Sequence, residues 1–200
     1  EIRRGSLEAL GYDAAYRLRP STPRPAPAWD DAVAWDGVAL TTLTPVTVDV
    51  GAAGKGYLVD LLAEILRAAG HERYTVDGSG DLLHEGAPIR VALEDPRDPP
   101  QAIGVVTLDG GALCSSATTR RAWGDNLHHV LDPTTGLPTR DIIATWAIAP
   151  TALEADGLAT ALFFADPHTL AAEFDFRYAR MRADGRVEFS PDLGRELFLA

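Results

Sequence analysis

The chain has 200 residues, 46% of them hydrophobic and 24% charged, which excludes collagenous, disordered and membrane-embedded classes. A formal net charge of −11 would repel a phosphate backbone and the arginines are scattered, so we expect no nucleic-acid partner. The single Cys114 excludes an internal disulfide and any multi-cysteine metal site, and its apolar flank predicts a strand core. At this length we expect a single domain over residues 1–200.

The first predicted elements are short. Helical spacing predicts a helix over residues 2–10 that ends at Gly11, and alternating prolines predict a loop over residues 21–27. Residues 38–40 and 46–50 are typical of a pair of strands that lead into the glycine-rich segment 51–56. The next segment, residues 56–70, has apolar positions three and four residues apart and is predicted to be an amphipathic helix: Leu58, Leu62, Ile65, Leu66 and Ala69 on one side, and Asp60, Glu64 and Arg67 on the other.

The second half of the chain is predicted to be rich in strands. Short strands are expected over 74–76, 89–93, 103–108, 112–115 and 142–149. The pattern from Thr151 to Glu154 is that of a capping box, which predicts a helix to about residue 164. A helix over 167–174 and a hairpin over 178–189 complete the chain. Because strands outnumber helices and connections are short, we expect an α+β fold with a mainly antiparallel mixed sheet and a few helices.

The glycine-rich segment 51–56 lies between a predicted strand and a predicted helix. Amides of the first helical turn, the positive end of the helix dipole and Lys55 can therefore converge on one anion, such as a phosphate. The segment is not a Walker loop, because the glycine spacing is too short and Gly56 stands where Ser or Thr is needed. The alternative is a tight turn with a solvated lysine.

Two oxygen-bearing side chains share one face of the capped helix. Asp156 and Thr160 are four residues apart, so a carboxylate and a hydroxyl point the same way. Both are hard ligands of the kind that magnesium takes, together with water and phosphate oxygens. The alternative is an ordinary Asp–Thr hydrogen bond on a partly buried helix face.

A histidine pair precedes a predicted turn. His128 and His129 are adjacent in a short strand, so their side chains point to opposite faces and only one can enter a given pocket. Histidine is the usual general base near neutral pH, although a satisfied core or surface histidine is the alternative. The remaining histidines, His71, His84 and His168, have no metal-type spacing. The segment from Asp77 to Asp81 is glycine-rich and is interpreted either as a turn or as a site of close ligand approach.

Together and in order, these segments resemble the FAD:protein FMN transferase family, known as the ApbE family. Residues 49–60 resemble the family motif D-L-G-G-I-A-K-G-Y-A-V-D, and Gly80-Asp81 resembles the end of its G-G-D. Residues 128–136 resemble H-H-I-x-D-P-x-T-G, residues 154–161 resemble x-A-D-A-L-A-T-A, and residues 7–12 resemble A-L-x-x-x-G-Y. The resemblance implies an ApbE-like fold and a chain corresponding to the C-terminal two-thirds of the usual family length.

The resemblance also assigns roles to residues. It implies a magnesium ion bound by Asp156, Thr160 and the main-chain carbonyl of Ala52, and an acid/base role for His129. Lys55 would face the pyrophosphate of FAD. The resemblance further implies that the FAD-binding residues are Gly51, Ala52, Gly54, Lys55, Asp81, His129 and Asp132.

The implied reaction is magnesium-dependent transfer of the FMN half of FAD to a Thr or Ser hydroxyl of an acceptor flavoprotein, with release of AMP. The family's acceptors carry a D-G-x-S/T-G-A-T type motif, and family members are often exported or membrane-associated. Two alternatives stay open from the sequence. One is an FAD pyrophosphatase that gives FMN and AMP, and the other is a non-catalytic FAD-binding module.

Overall fold

The computed structural model describes residues 4–22 and 27–198. The first residues of the predicted helix 2–10 and most of the predicted loop 21–27 lie outside the described residues. The helices are α1 (Arg4–Ala9), α2 (Trp29–Ala32), α3 (Gly54–Ala68), α4 (Ala152–Ala161) and α5 (Pro167–Ala171), with 3-10 turns at Thr118–Arg121 and Pro191–Arg195. The strands are β1 (Val33–Trp35), β2 (Leu40–Thr42), β3 (Tyr74–Asp77), β4 (Asp81–Glu85), β5 (Ile89–Glu94), β6 (Ala102–Leu108), β7 (Gly111–Ala117), β8 (Ala122–Trp123), β9 (Leu127–His128), β10 (Ile142–Ala149), β11 (Arg177–Arg182) and β12 (Val187–Phe189).

Two compact units divide the chain. The small unit comprises Glu1–Val50 and Arg121–Thr139, and the large unit comprises Gly51–Arg120 and Arg140–Ala200. A single domain over residues 1–200 therefore stays a prediction. Among the described helices, none has the length and apolar character needed to cross a membrane.

The small unit is built around Trp123. Leu7, Leu10 and Leu131 are buried with this side chain, whose indole nitrogen donates to the Leu10 carbonyl at 2.9 Å. The ring of Tyr12 stacks on Trp123 with centroids 5.4 Å apart. Burial of aromatic surface with a satisfied indole N–H therefore stabilises this part of the chain.

The strand pair of the small unit was predicted at the wrong place. The structure pairs β1 with β2, Val33 opposite Thr42, and residues 46–50 form no strand. The turn is made by Asp36-Gly37: the Asp36 carboxylate accepts from the amides of Val38 and Ala39, and Gly37 has a φ of +96°. An Asp-Gly pair between strands is the usual hairpin signal, and it lies just before the strand that we predicted at 38–40.

The large unit contains a six-stranded sheet in the order β12-β11-β10-β7-β4-β3. Every strand pair in the described residues is antiparallel, which confirms the predicted α+β class. The central strand β10 is buried along nearly its whole length. This burial arises because α3 and α4 cover one face of the sheet while the β5-β6 hairpin packs on the other.

The two faces of the sheet differ in side-chain size. On the helix face, β7 and β10 present small residues: Ala112, Cys114, Ala147 and Ala149. On the hairpin face, the buried residues include Trp146, Ile148 and Met181. Alternation along a strand assigns successive residues to opposite faces. The small side chains allow α4 to approach the sheet closely, and the Thr145 hydroxyl donates to the Ala159 carbonyl at 2.6 Å.

Helix α3 was predicted correctly as a helix, but its apolar stripe does not face the core. The buried residues are Gly56, Val59 and Ala63, whereas Leu58 is 55% and Ile65 is 64% exposed. The reason is the close approach of α4. A Cβ at Gly56 would lie 2.1 Å from the Ala152 carbonyl oxygen, so larger side chains have no room at this contact.

Most later elements follow the predictions. Strand β10 matches the predicted 142–149, and β11 and β12 form the predicted hairpin around Asp184-Gly185. Cys114 is buried in β7, as expected of a strand-core cysteine. Helices α4 and α5 end three residues earlier than predicted. Strand β4 was missed because buried Asp81 and His84 interrupt its apolar pattern.

Candidate functional site

The glycine-rich segment forms a turn at 51–53 that leads directly into α3. Ala53 is the N-cap residue and its side chain makes no capping hydrogen bond. Lys55 lies in the first helical turn, and its ammonium group forms an ion pair with Asp81 at the start of β4. The Asp81 side chain is fully buried, whereas that of Lys55 is 42% exposed. The fold thus brings together Lys55 and Asp81, two residues assigned by resemblance to FAD binding.

Helix α4 carries Asp156 and Thr160. Its N-terminus is capped as predicted, because the Thr151 hydroxyl accepts from the Glu154 amide at 3.2 Å. Asp156 is 4% exposed and its Oδ2 accepts from the Gly56 amide at 2.9 Å. One turn further on, the Thr160 hydroxyl donates to the Ala52 carbonyl at 3.5 Å. The side chains of Asp156 and Thr160 therefore both contact the glycine-rich segment.

The charges at this junction are unbalanced. Burial raises the pKa of Asp156 to about 6; the Gly56 amide opposes this shift, and Asp81 adds to it. Lys55 lowers the pKa of Asp156 and is also the ion-pair partner of Asp81. Burial, and next the charge of Asp81, likewise raise the pKa of the Cys114 thiol. Two buried carboxylates thus depend on one half-exposed lysine, and a further cation would offset the excess negative charge.

The donor set fits a hard cation. The Asp156 carboxylate, the Thr160 hydroxyl and the Ala52 carbonyl are all oxygens, as magnesium prefers, and the last two already lie 3.5 Å apart. Across residues 4–22 and 27–198, no group of three or more His, Cys, Asp or Glu side chains is arranged to hold a metal ion. If a cation binds at this junction, Asp156 is the carboxylate that would hold it, beside the neutral oxygens of Thr160 and Ala52.

The histidine segment belongs to the small unit. His128 ends β9, is 8% exposed and has its Nε2 2.8 Å from the Thr139 carbonyl. This contact holds the His128 ring against its own unit. His129 follows the strand and is half-buried. We predicted that the two rings point to opposite faces of one strand, but the strand ends at His128, so the choice of His129 as the base stays a prediction.

Asp132 shapes the turn after the histidines. Its Oδ1 accepts from the amides of Thr134 and Thr135 at 2.8 and 2.7 Å. The Gly136 amide donates to the Asp132 carbonyl at 2.8 Å, and Gly136 has a φ of +70°. An aspartate that bonds the amides two and three residues on is a common turn device. The structure thus gives the Asp132 side chain a local role, and its assignment to FAD stays a prediction.

Sequence reasoning missed Asp60. This residue was placed only on the polar side of α3, yet its carboxylate accepts from the amides of Ala152 and Leu153, each at 2.8 Å. The available signal was its position as the last residue of the motif over 49–60. Its partners lie 92 and 93 residues further along the chain, beyond the reach of local patterns.

The large unit is an antiparallel α+β fold in which the glycine-rich segment contacts helix α4 through Asp156 and Thr160. The ApbE family model matches residues 8–178, and the chain belongs to this family. The chain is similar to the FAD:protein FMN transferase of Klebsiella pneumoniae, with 38% identity over 130 residues, which are 60% of this chain and 37% of the relative. It is also similar to the FAD:protein FMN transferase of Escherichia coli K12, with 37% identity over 135 residues, which are 62% of this chain and 38% of the relative.

Solved structures support the fold. The ApbE protein of Thermotoga maritima matches with a TM-score of 0.79 and 24% identity over 100% of this chain and 72% of that chain. The flavin transferase ApbE of Vibrio cholerae matches with a TM-score of 0.73 and 22% identity over 98% of this chain and 70% of that chain. The chain thus spans less than two-fifths of the curated relatives named above and about seven-tenths of these solved chains.

Proposed function

We propose that the protein is an FAD:protein FMN transferase that moves the FMN half of FAD to a Thr or Ser hydroxyl of an acceptor flavoprotein and releases AMP. The observation that carries the proposal is the junction between the glycine-rich segment and α4. There Gly56 donates to Asp156 and Thr160 donates to Ala52. The curated relatives are named FAD:protein FMN transferase, which supports the flavin-transfer part of this proposal.

The proposed roles in binding divide among five residues. Asp156, Thr160 and the Ala52 carbonyl hold a magnesium ion, which when bound neutralises pyrophosphate charge. Lys55 faces the pyrophosphate with its ammonium group, and the buried Asp81 carboxylate orients that group. A lysine held by an ion pair loses less side-chain freedom when the anion binds, so the site is preorganised.

The remaining roles concern proton transfer and the turns. His129 removes the proton of the attacking acceptor hydroxyl, because imidazole is the usual general base near neutral pH. Gly51 and Gly54 permit close approach of the pyrophosphate to the backbone. Asp132 keeps the turn after His129 in place. The acceptor is a flavoprotein with a D-G-x-S/T-G-A-T type motif, either soluble or membrane-associated.

A labelling experiment tests the proposal. The full-length protein is incubated with FAD, Mg²⁺ and an acceptor that carries the motif, and the acceptor is then denatured and examined for flavin fluorescence. Covalent fluorescence with release of AMP is the expected result. Free FMN and AMP without labelling of the acceptor would mean that the protein hydrolyses FAD and would contradict the proposal. Intact FAD would mean that the protein only binds the flavin.

The histidine pair supplies a matched control in the same assay. His129→Ala is expected to slow the chemical step on the order of a hundredfold. His128→Ala removes the ring that contacts the Thr139 carbonyl and should mainly lower the melting temperature. A larger loss of the chemical step in His128→Ala would reverse the assignment of the base.

A further inference from the structure

The backbone amides of the first turn of α4 donate hydrogen bonds to two side chains. The Asp60 carboxylate accepts from the amides of Ala152 and Leu153, each at 2.8 Å. The Thr151 hydroxyl accepts from the third amide, that of Glu154. Amides at the start of a helix have no partner within the helix, so these bonds satisfy groups that would otherwise need water. A carboxylate is also favourable at the positive end of the helix dipole.

Asp60 and Gly56 are one turn apart on α3, and both contact α4. Gly56 donates to Asp156, and a Cβ at Gly56 would lie 2.1 Å from the Ala152 carbonyl oxygen. Asp60 binds the amides of the preceding turn of α4. The two helices are therefore joined over consecutive turns, and Asp60 supplies the contacts at the start of α4.

The C-terminal half of α4 is held independently. The Thr145 hydroxyl donates to the Ala159 carbonyl at 2.6 Å. The Arg180 guanidinium donates to the carbonyls of Leu162 and Ala165 at 3.2 and 3.1 Å. Loss of the Asp60 contacts would therefore shift the start of the helix while its end stays bound to the sheet.

We propose that Asp60 is a positioning residue of the metal site, which holds Asp156 at the right distance from Thr160 and the Ala52 carbonyl by binding the first two amides of α4. This inference rests on the proposed function, which assigns magnesium to those three oxygens. Magnesium demands nearly ideal octahedral geometry at about 2.1 Å, so a small shift of α4 weakens binding. Groups that orient ligands in this way typically change metal affinity by about ten- to a hundredfold.

The test uses Mn²⁺ as the probe, because its binding can be followed by electron paramagnetic resonance without turnover. The purified protein is titrated with Mn²⁺ in the presence of FAD. Asp60→Asn keeps one acceptor oxygen but places an NH₂ group against the second backbone amide. We expect its Mn²⁺ dissociation constant to rise about tenfold or more. The concentration of Mg²⁺ needed for half-maximal flavin transfer should rise in parallel, with KM for FAD at saturating Mg²⁺ little changed.

Asp166→Asn is the matched control. Asp166 also accepts amide hydrogen bonds at a helix start, from His168 and Thr169 at the beginning of α5. The Asp166→Asn substitution should lower the melting temperature, as Asp60→Asn does, because it weakens a helix cap. It should leave the Mn²⁺ dissociation constant within about twofold of that of the unmodified protein, because α5 carries no proposed metal ligand. A purely stabilising role for Asp60 would make the two variants alike.

Asp156→Ala separates this inference from the proposed function. If Asp156→Ala binds Mn²⁺ like the unmodified protein, the metal assignment itself fails. If Asp156→Ala loses binding while Asp60→Asn retains it unchanged, the metal assignment stands and the role of Asp60 is overturned. Should Asp60→Asn not fold, Asp60→Glu keeps the charge but displaces both oxygens by one methylene. The same rise in the dissociation constant is expected, and an unchanged value would overturn the inference.

Discussion

Helices α3 and α4 pack against each other in the large unit, yet their sequences are organised in opposite ways. Helix α4 buries five of its ten residues, including Asp156 and the small residues Ala155 and Ala159. Helix α3 buries Gly56, Val59 and Ala63 and leaves its larger aliphatic side chains exposed. The small residues at the shared interface allow the two backbones to approach closely, which places the Asp156 carboxylate within hydrogen-bonding distance of the Gly56 amide.

The ends of the two helices also differ. Helix α4 has a hydroxyl and a carboxylate at its N-terminus and a guanidinium at its C-terminal carbonyls. Helix α3 begins at Gly54, and its N-cap residue Ala53 makes no side-chain cap. Charged groups at both ends of α4 complement its dipole and fix its position. At the start of α3, the Asp156 carboxylate of α4 accepts from the Gly56 amide in place of a local cap, and Lys55 lies in the same helical turn.

The largest effect is expected for Gly56→Ala, which breaks the interface between the helices. The new Cβ would lie 2.1 Å from the Ala152 carbonyl oxygen, a backbone atom that cannot rotate away. We expect a loss of about 3 kcal/mol or more in the free energy of unfolding. Urea denaturation measures this loss, and an unchanged midpoint would show that the helices are not in close contact.

A pair of variants on α3 tests which of its faces is buried. Val59 is 2% exposed and Ile65 is 64% exposed. Val59→Ala should lower the free energy of unfolding by about 2 kcal/mol because it removes buried apolar surface, whereas Ile65→Ala should change it by no more than about 0.5 kcal/mol. Urea denaturation of the two variants measures both free energies of unfolding. A larger loss of stability in Ile65→Ala than in Val59→Ala would mean that the apolar stripe predicted from the sequence is the buried face of α3.

Thr151→Ala tests the N-terminal cap of α4. The substitution removes the hydroxyl that accepts from the Glu154 amide, and a lost N-cap typically costs about 1 kcal/mol. Thermal unfolding followed by circular dichroism measures the change. The exposed Leu153→Ala, one residue inside the helix, serves as the control. Equal melting temperatures for both variants would argue against the cap.

The smallest effect, and the only one of opposite sign, is expected for Gly157→Ala in α4. A Cβ at this position would have its nearest neighbour, the Ala53 Cβ, at an ordinary contact distance of 3.9 Å. Replacing a helical glycine by alanine where there is room should raise the free energy of unfolding by about 0.5–1 kcal/mol. Calorimetry would reveal the higher melting temperature, and a lower one would mean that α4 lies closer to the turn than described.

Local chemistry explains which parts of the fold could be predicted. The cap at Thr151 and the Asp184-Gly185 turn involve neighbouring residues, so the sequence alone predicts α4 and the β11-β12 hairpin. The hairpin at Asp36-Gly37 carried a similar signal but was assigned to the wrong residues. The buried face of α3 could not be read from hydrophobicity, because steric contact with α4 decides it.

The site divides in the same way. The spacing of Asp156 and Thr160 on one helix face follows from helical geometry alone. Their contact with residues 52–56 joins segments a hundred or more residues apart, and only the resemblance to a family anticipated it. The ion pair between Lys55 and Asp81 and the bonds of Asp60 to α4 depend on how α3, α4 and β4 pack. Such pairings leave no local pattern.

The assignment of a metal ion to Asp156 is tested by measuring how FAD cleavage by Asp156→Ala depends on Mg²⁺ in the full-length protein. The variant should remain folded by circular dichroism, because Thr145 and Arg180 still hold α4, and its Mg²⁺-dependent turnover should be abolished. Turnover with an unchanged Mg²⁺ requirement would contradict the assignment of the metal to the junction between the glycine-rich segment and α4.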